Sequence, residues 1–126
     1  MEVLVKMGKF TGIQSELALN GTIPVRKRVP ITAQVVIGTP GTIDSLITSK
    51  KLSLRFMKIL VFDEADHMLA EGSFRDSSKK IMRLIVQSSP DCQVVLFSAT
   101  FNDNVRAFVD QTISKEIFMR DTCVAL

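Results

Sequence analysis

The sequence predicts an α/β fold with a mostly parallel sheet, on three observations. Three short apolar runs, Ala33 to Ile37, Lys58 to Phe62 and Gln93 to Phe97, are branched or aromatic and end in small or polar residues, as strands covered on both faces do. Amphipathic segments at helical spacing lie between them, which is the alternation of strand, crossover helix and strand. With 126 residues and 46% hydrophobic content, the chain has the size and apolar mass of one ordinary domain.

Each element has its own local reason. Val3, Leu4 and Met7 share one face of a first helix that Gly8 can stop. No capping residue precedes Met1, so it reads as an internal methionine of a longer parent. Ile13 to Leu19 follows as a strand. Asn20-Gly21, Pro24, the triplet Arg26-Lys27-Arg28 and Pro30 then read as an exposed loop, with the triplet a solvated face. Thr42 can cap a helix that turns Ile43, Leu46 and Ile47 inward. Phe74, Ser78, Ile81, Met82 and Ile85 keep helical spacing, and Asn102 can cap a helix presenting Val105, Phe108 and Val109. Ile117 to Met119 makes a last strand. No internal repeat, low-complexity tract or second-domain linker interrupts this order.

Composition excludes more than it identifies. No apolar run approaches the roughly 20 residues that span a bilayer, and the start has none of the three regions of a signal peptide; a soluble intracellular chain without membrane insertion is expected. Sixteen Lys and Arg against thirteen Asp and Glu give +3, which suits a polyanionic partner without requiring one. Cys92 and Cys123 form no C-x-x-C pair and read as ordinary reduced thiols. His67 is the only histidine; it excludes a multi-histidine metal site, and a buried or supporting hydrogen-bond role suits it better than general-base catalysis.

Three motifs could carry chemistry. Lys58-Ile-Leu-Val-Phe-Asp63-Glu64-Ala65-Asp66 delivers three carboxylates at the end of a buried strand, where open α/β sheets place ligands. Unpaired, such a cluster repels itself; a divalent cation and hydrogen-bond donors offset the repulsion. Magnesium with a nucleotide is the natural occupant. Asp63 would hold the metal through water while Glu64 orients or deprotonates the attacking water. The plain alternative is an exposed acidic turn. Ser98-Ala99-Thr100, after the third run, has hydroxyls that could pair with Asp66, although the same residues could simply cap the next helix. Thr39-Pro40-Gly41-Thr42 sits between a strand and a helix, where free N–H groups and a glycine suit a nucleic-acid phosphate. As a lone tetrapeptide it is otherwise an ordinary turn.

In order and approximate spacing, Thr39-Pro-Gly-Thr42, Val61-Phe-Asp-Glu-Ala-Asp66 and Phe97-Ser-Ala-Thr100 resemble motifs Ib, II and III of the DEAD-box RNA helicases. The wording Lys58 to Ala70 and Leu96 to Phe101, with Thr42, is similar to the mRNA-export, nuclear-pore-associated subgroup, in a plant-like form. The resemblance implies a partial RecA-like three-layer sandwich, with residues 1–126 as the C-terminal portion of the first RecA-like (helicase ATP-binding) domain. It implies Asp63 and Glu64 as the catalytic, ATP-Mg-binding carboxylates and Asp66, Ser98 and Thr100 as the coupling set. Thr39, Pro40, Gly41 and Thr42 become the RNA-backbone contacts. ATP and Mg2+ would be cofactors of the full-length parent, and a second RecA-like domain and nuclear-pore factors its partners, in cytoplasm and nucleus and at the pore. Such enzymes hydrolyse ATP to separate short duplexes locally.

Departures from the pattern matter too. No G-x-x-x-x-G-K-[ST] occurs in the chain, so the P-loop strand and its phosphate cradle are lacking, as are the glutamine motif and motif Ia. The P-loop strand would lie beside the strand leading to Ser98, so an unpaired apolar sheet edge and an unstable, inactive isolated fragment are expected. A non-catalytic RNA- or protein-interaction module derived from a helicase is the alternative function. Glu71-Gly-Ser-Phe74, where the family places glycine directly before phenylalanine, predicts an altered turn.

Overall fold

The computed structural model describes residues 2–19, 21, 24–70 and 72–112. In chain order they form α1 (Glu2–Met7), β1 (Ser15–Ala18), a 3-10 turn (Val25–Lys27), β2 (Val35–Gly38), α2 (Pro40–Thr48), β3 (Ile59–Phe62), α3 (Ala65–Met68), α4 (Ser73–Ser88), β4 (Gln93–Leu96) and α5 (Asp103–Thr112). All three expected buried runs are strands, and both strand pairs are parallel. β1 pairs β2 with Ser15 opposite Val35, and β3 pairs β4 with Ile59 opposite Gln93. Among the described residues the sheet is in two pieces of two strands each. The expected last strand, Ile117 to Met119, lies outside the described residues, as do Cys123, Asn20 and Glu71. No helix among the described residues is long and apolar enough to cross a membrane.

Helices α2 to α5 gather on one face of β3 and β4. Phe62, Ala65, Leu69, Met82, Val94, Val105 and Phe108 form one buried cluster, and Leu54, Ile81 and Ile85 form a second, with Leu60 against both. α4 therefore serves two cores from adjacent positions on its helical stripe. The Phe62 and Phe108 rings meet edge to face with centroids 5.4 Å apart, an arrangement worth about 0.5–1.5 kcal/mol beyond the area it buries. Ser78 is fully buried and its hydroxyl finds no partner, so its small size is what suits it to that face. Lys80 on α4 reaches Asp44 on α2 at 2.7 Å and pins the two helices together.

Several local expectations shift. Thr42 does not cap α2: the helix begins at Pro40, with Thr39 in the extended capping position, because proline at the first helical position has its dihedral preset and no N–H to lose. α1 ends at Met7, directly before Gly8 as expected, but the left-handed backbone belongs to Gly12, at φ 71°. α1 buries none of its residues, so its apolar face is uncovered. Asn102 does cap α5, its side-chain oxygen accepting the Val105 N–H at 3.1 Å. Gly72 opens α4 at φ 122°, ψ −170°, a backbone that L side chains rarely adopt, so the glycine stands where the turn after Asp66 needs it.

The opposite face of β3 is bare. Ile59 is 55% and Val61 51% exposed, and Phe97, just beyond β4, is 57% exposed. Strands apolar on both faces are built to be covered on both, and β4 has β3 as its only neighbour among the described residues. Among the described residues, then, β4 has an unpaired edge and β3 an apolar, uncovered face. We expect the purified chain to self-associate, and Val61→Lys to shift it toward monomer in light scattering, since a charge on the bare face opposes apolar contact while leaving the buried cluster intact. A second consequence concerns Gly38, where an added Cβ would stand 2.9 Å from the Ala18 side chain and 3.1 Å from Ile43. Gly38→Ala should lower stability by about 1–3 kcal/mol through overpacking, read as a fall in Tm in that monomeric background.

Candidate functional site

Parallel register places the C-terminal ends of β3 and β4 side by side, with Phe62 opposite Leu96. The pairing runs on past the strands: the Phe97 N–H donates to the Phe62 carbonyl at 2.8 Å, and the Phe97 carbonyl accepts the Ala65 N–H at 2.9 Å. The residues that follow each strand therefore meet. Asp63 and Glu64 leave β3 into solvent, and Glu64 takes a left-handed backbone at φ 52°, ψ 48° before α3 starts. That conformation costs a glutamate about 1–2 kcal/mol relative to an ordinary helical one, and it turns the chain sharply enough to present both carboxylates. Asp63 Oδ1 accepts the Glu64 N–H at 3.0 Å and steadies the turn.

Asp66 is held from the other strand. The Thr100 hydroxyl donates to its Oδ2 at 2.6 Å and the Thr100 N–H to the same oxygen at 3.1 Å. Its Oδ1 accepts the His67 N–H at 3.0 Å. Ser98 Oγ accepts the Asp66 backbone N–H at 3.0 Å and donates its proton to the Thr100 carbonyl at 2.7 Å. The Thr100 hydroxyl is the largest influence holding the Asp66 carboxyl below the ordinary aspartate range; partial burial opposes it, and the His67 N–H, Ser98 and the Thr100 N–H assist. Because the Ser98 proton is already engaged by the Thr100 carbonyl, its effect on the carboxylate is secondary.

This geometry decides between the sequence alternatives. Ser98 and Thr100 serve Asp66, and the helix that follows is capped by Asn102 instead. The three carboxylates do not form the single cluster that their spacing suggested, because Asp66 faces the hydroxyls while Asp63 and Glu64 face solvent. No three His, Cys, Asp or Glu side chains among the described residues converge to hold a metal ion. The His67 ring is exposed rather than buried, and only its backbone N–H enters the network. The Phe97 carbonyl, which ties the two strand ends together, had no signal in the sequence because any residue supplies one.

At the start of α2, Thr39 is exposed and Gly41 has nothing within 4 Å of where a Cβ would stand. Pro40 is buried and Thr42 is only 2% exposed, its hydroxyl 3.1 Å from that of Thr39. Only Thr39 and Gly41 of the four predicted RNA contacts present a surface; Thr42 is too buried to touch a ligand and supports Thr39. Proline at the first helical position was the sequence signal that the helix starts earlier and draws Thr42 inside.

The donor set can be compared with magnesium and nucleotide. Magnesium keeps several waters and takes one or two carboxylates together with phosphate oxygens, and the exposed Asp63 with adjacent Glu64 fits that half of such a site. The other half, a glycine-rich phosphate cradle with its lysine and hydroxyl, has no counterpart in the sequence.

A carboxyl with a folded-state pKa below its unfolded value adds stability above the unfolded pKa and loses it as pH falls through the folded one. Asp66 should therefore contribute fully above about pH 4 and progressively less below it. Carboxyl-carbon NMR should place its titration below the ordinary value, and Thr100→Val should move it upward and flatten the acid limb of the stability profile; an unmoved titration would show that the hydroxyl does not set it.

The family model described as DEAD/DEAH box helicase matches residues 1–108. The chain is 51% identical to DEAD-box ATP-dependent RNA helicase 38 of Arabidopsis thaliana, over 100% of this chain and 27% of that protein. A structure of a Saccharomyces cerevisiae Dbp5 variant bound to Nup159, Gle1, IP6 and ADP superposes with a TM-score of 0.78 and 41% identity, covering 90% of this chain and 29% of that one. Another, bound to RNA and ADP BeF3, gives a TM-score of 0.78 and 40% identity over 90% of this chain and 28% of that one. The chain thus spans little more than a quarter of the relatives it matches. RecA-like helicase domains share its fold, and with motifs II and III meeting at adjacent strand ends, this chain belongs to the DEAD/DEAH box helicase family.

Proposed function

We propose that residues 1–126 are the C-terminal portion of the first RecA-like domain of an ATP-dependent RNA helicase that acts in mRNA export. The observation that carries this reading is the bond from Thr100 to Asp66 at 2.6 Å, which joins the two strand ends beside Asp63 and Glu64. Magnesium and ATP, when bound in the whole enzyme, supply the phosphoryl group and the charge that neutralises it. Asp63 would hold the cation, and Glu64, thrust out by its left-handed backbone, would orient the attacking water and accept its proton. Asp66, fixed by Thr100 and Ser98, transmits a shift at one strand end to the other. Thr39 and Gly41 hold an RNA phosphate at the start of α2, reading no base. The complexes of yeast Dbp5 with RNA and with Nup159 and Gle1 support RNA and pore factors as partners; a second RecA-like domain as the closing half, and residence in cytoplasm and nucleus and at the nuclear pore, belong to the same proposal.

A second reading, a non-catalytic RNA- or protein-interaction module, draws on one observation: the phosphate cradle is not in this sequence. RNA-stimulated ATP hydrolysis by the 126-residue chain, beside Glu64→Gln, separates the two contributions. Neither protein should hydrolyse ATP, both should bind oligouridine, and Gly41→Glu should weaken that binding about tenfold or more by putting a charge where a phosphate sits. Hydrolysis abolished by Glu64→Gln would overturn the argument that the cradle is indispensable, and binding indifferent to Gly41→Glu would remove α2 from the RNA site.

A further inference from the structure

The chain's positive charge is unevenly placed. Residues 17–62 carry seven Lys and Arg against one acid, Asp44, which is already paired with Lys80 at 2.7 Å. Four of the seven, Lys50, Lys51, Arg55 and Lys58, fall within nine residues that contain no acid. Among the described residues the ion pairs are Lys6 with Glu2 and Lys80 with Asp44, so none of these four is neutralised. They lie between the C-terminus of α2 and the start of β3, at the end of the strand away from Asp63.

Three features distinguish this loop from a solvated charge run. Its backbone is fixed: the Lys51 N–H and Leu52 N–H both donate to the Leu46 carbonyl, the Lys51 carbonyl accepts the Ile31 N–H, and the Lys58 carbonyl accepts the Gln93 N–H. Leu54 is buried against Ile81 and Ile85, and its carbonyl accepts the buried Ser89 hydroxyl at 2.7 Å. Next, Lys50 adopts the left-handed conformation, φ 57°, just past α2, where glycine is the usual and less strained choice; a cation stands there at a cost in backbone energy, which the helix dipole offsets only in part. Finally, Phe56 is 78% exposed with the Arg55 guanidinium 5.4 Å from its ring centre. An exposed aromatic ring paired with arginine and flanked by unpaired lysines has the makings of a stacking platform on a phosphate-binding surface.

We propose that Lys50, Lys51, Arg55, Phe56 and Lys58 form a second contact zone for single-stranded RNA, separate from Thr39 and Gly41. A base stacks on Phe56 and the cations take the flanking phosphates. The nine-residue α2 carries the chain about 14 Å from Thr39 to the start of this loop, a span of a few nucleotides, so one strand can engage both. The zone reads no sequence and extends the RNA footprint past the start of α2.

The test uses the full chain with fluorescent oligouridines of about six and about fifteen nucleotides, the range of footprints such surfaces have. Phe56→Ala should weaken binding of the longer RNA at least about fivefold, and Lys51→Gln with Arg55→Gln should lower the slope of log affinity against log salt by about 0.7 per cation. The shorter RNA should be affected less. Ultraviolet crosslinking with peptide mapping reads the same surface without an equilibrium, and should place adducts in residues 50–58. Unchanged affinity and slope, crosslinks confined to residues 39–42, or full displacement of RNA by polyglutamate with Phe56→Ala silent would each overturn the proposal. Loss with Gly41→Glu alone would sink this zone and leave the α2 site standing; loss with the Phe56, Lys51 and Arg55 variants alone would do the reverse.

Discussion

Everything at the candidate site depends on the parallel register of β3 and β4. Phe62 lies opposite Leu96, so the acidic turn after one strand and the hydroxyl turn after the other are held within hydrogen-bonding reach. A slip of one residue would turn Phe62 out of the core and carry Thr100 away from Asp66, since side chains alternate between faces. The core enforces the register. Phe62 packs edge to face on Phe108 and shares its cluster with Val94, and the penalty for exposing that surface far exceeds what any one polar bond at the strand ends contributes.

The helices then divide the labour. α4 presents Met82 to one core and Ile81 and Ile85 to the other, while Lys80 ties it to Asp44 on α2. α3, which follows the acidic turn, packs on α4, and α4 packs on α2, whose first residues include the exposed Thr39 and the unobstructed Gly41. On the function proposed above, packed helices rather than a loop would link nucleotide state to RNA grip.

The bare side of β3 gives the other half of the account. Ile59 and Val61 are apolar and half exposed, and among the described residues the sheet stops at β4 on one side and is broken between β2 and β3. The relatives it matches are about four times as long. A strand pair with one covered face retains the register that builds the turn but leaves apolar surface facing water, so the geometry of the acidic turn and the stability of the sheet have separate sources.

The sequence by itself determined the fold class, the three strands, the helices between them and the identity of the acidic and hydroxyl motifs. Short branched runs and helical spacing are local signals, set by which faces must leave water. It also supplied the Asn102 cap, because that bond closes within three residues. Tertiary structure decided what depends on neighbours distant in the chain. Asp66 leaves its carboxylate companions because Thr100 lies 34 residues away in sequence yet 2.6 Å away in space. Thr42 is buried because Pro40 starts the helix early and Thr39 then stands over it. The Phe97 carbonyl, the left-handed Glu64 and the split of the sheet left no trace in residue type, since backbone groups are common to all residues and the missing coverage lies outside the strands themselves.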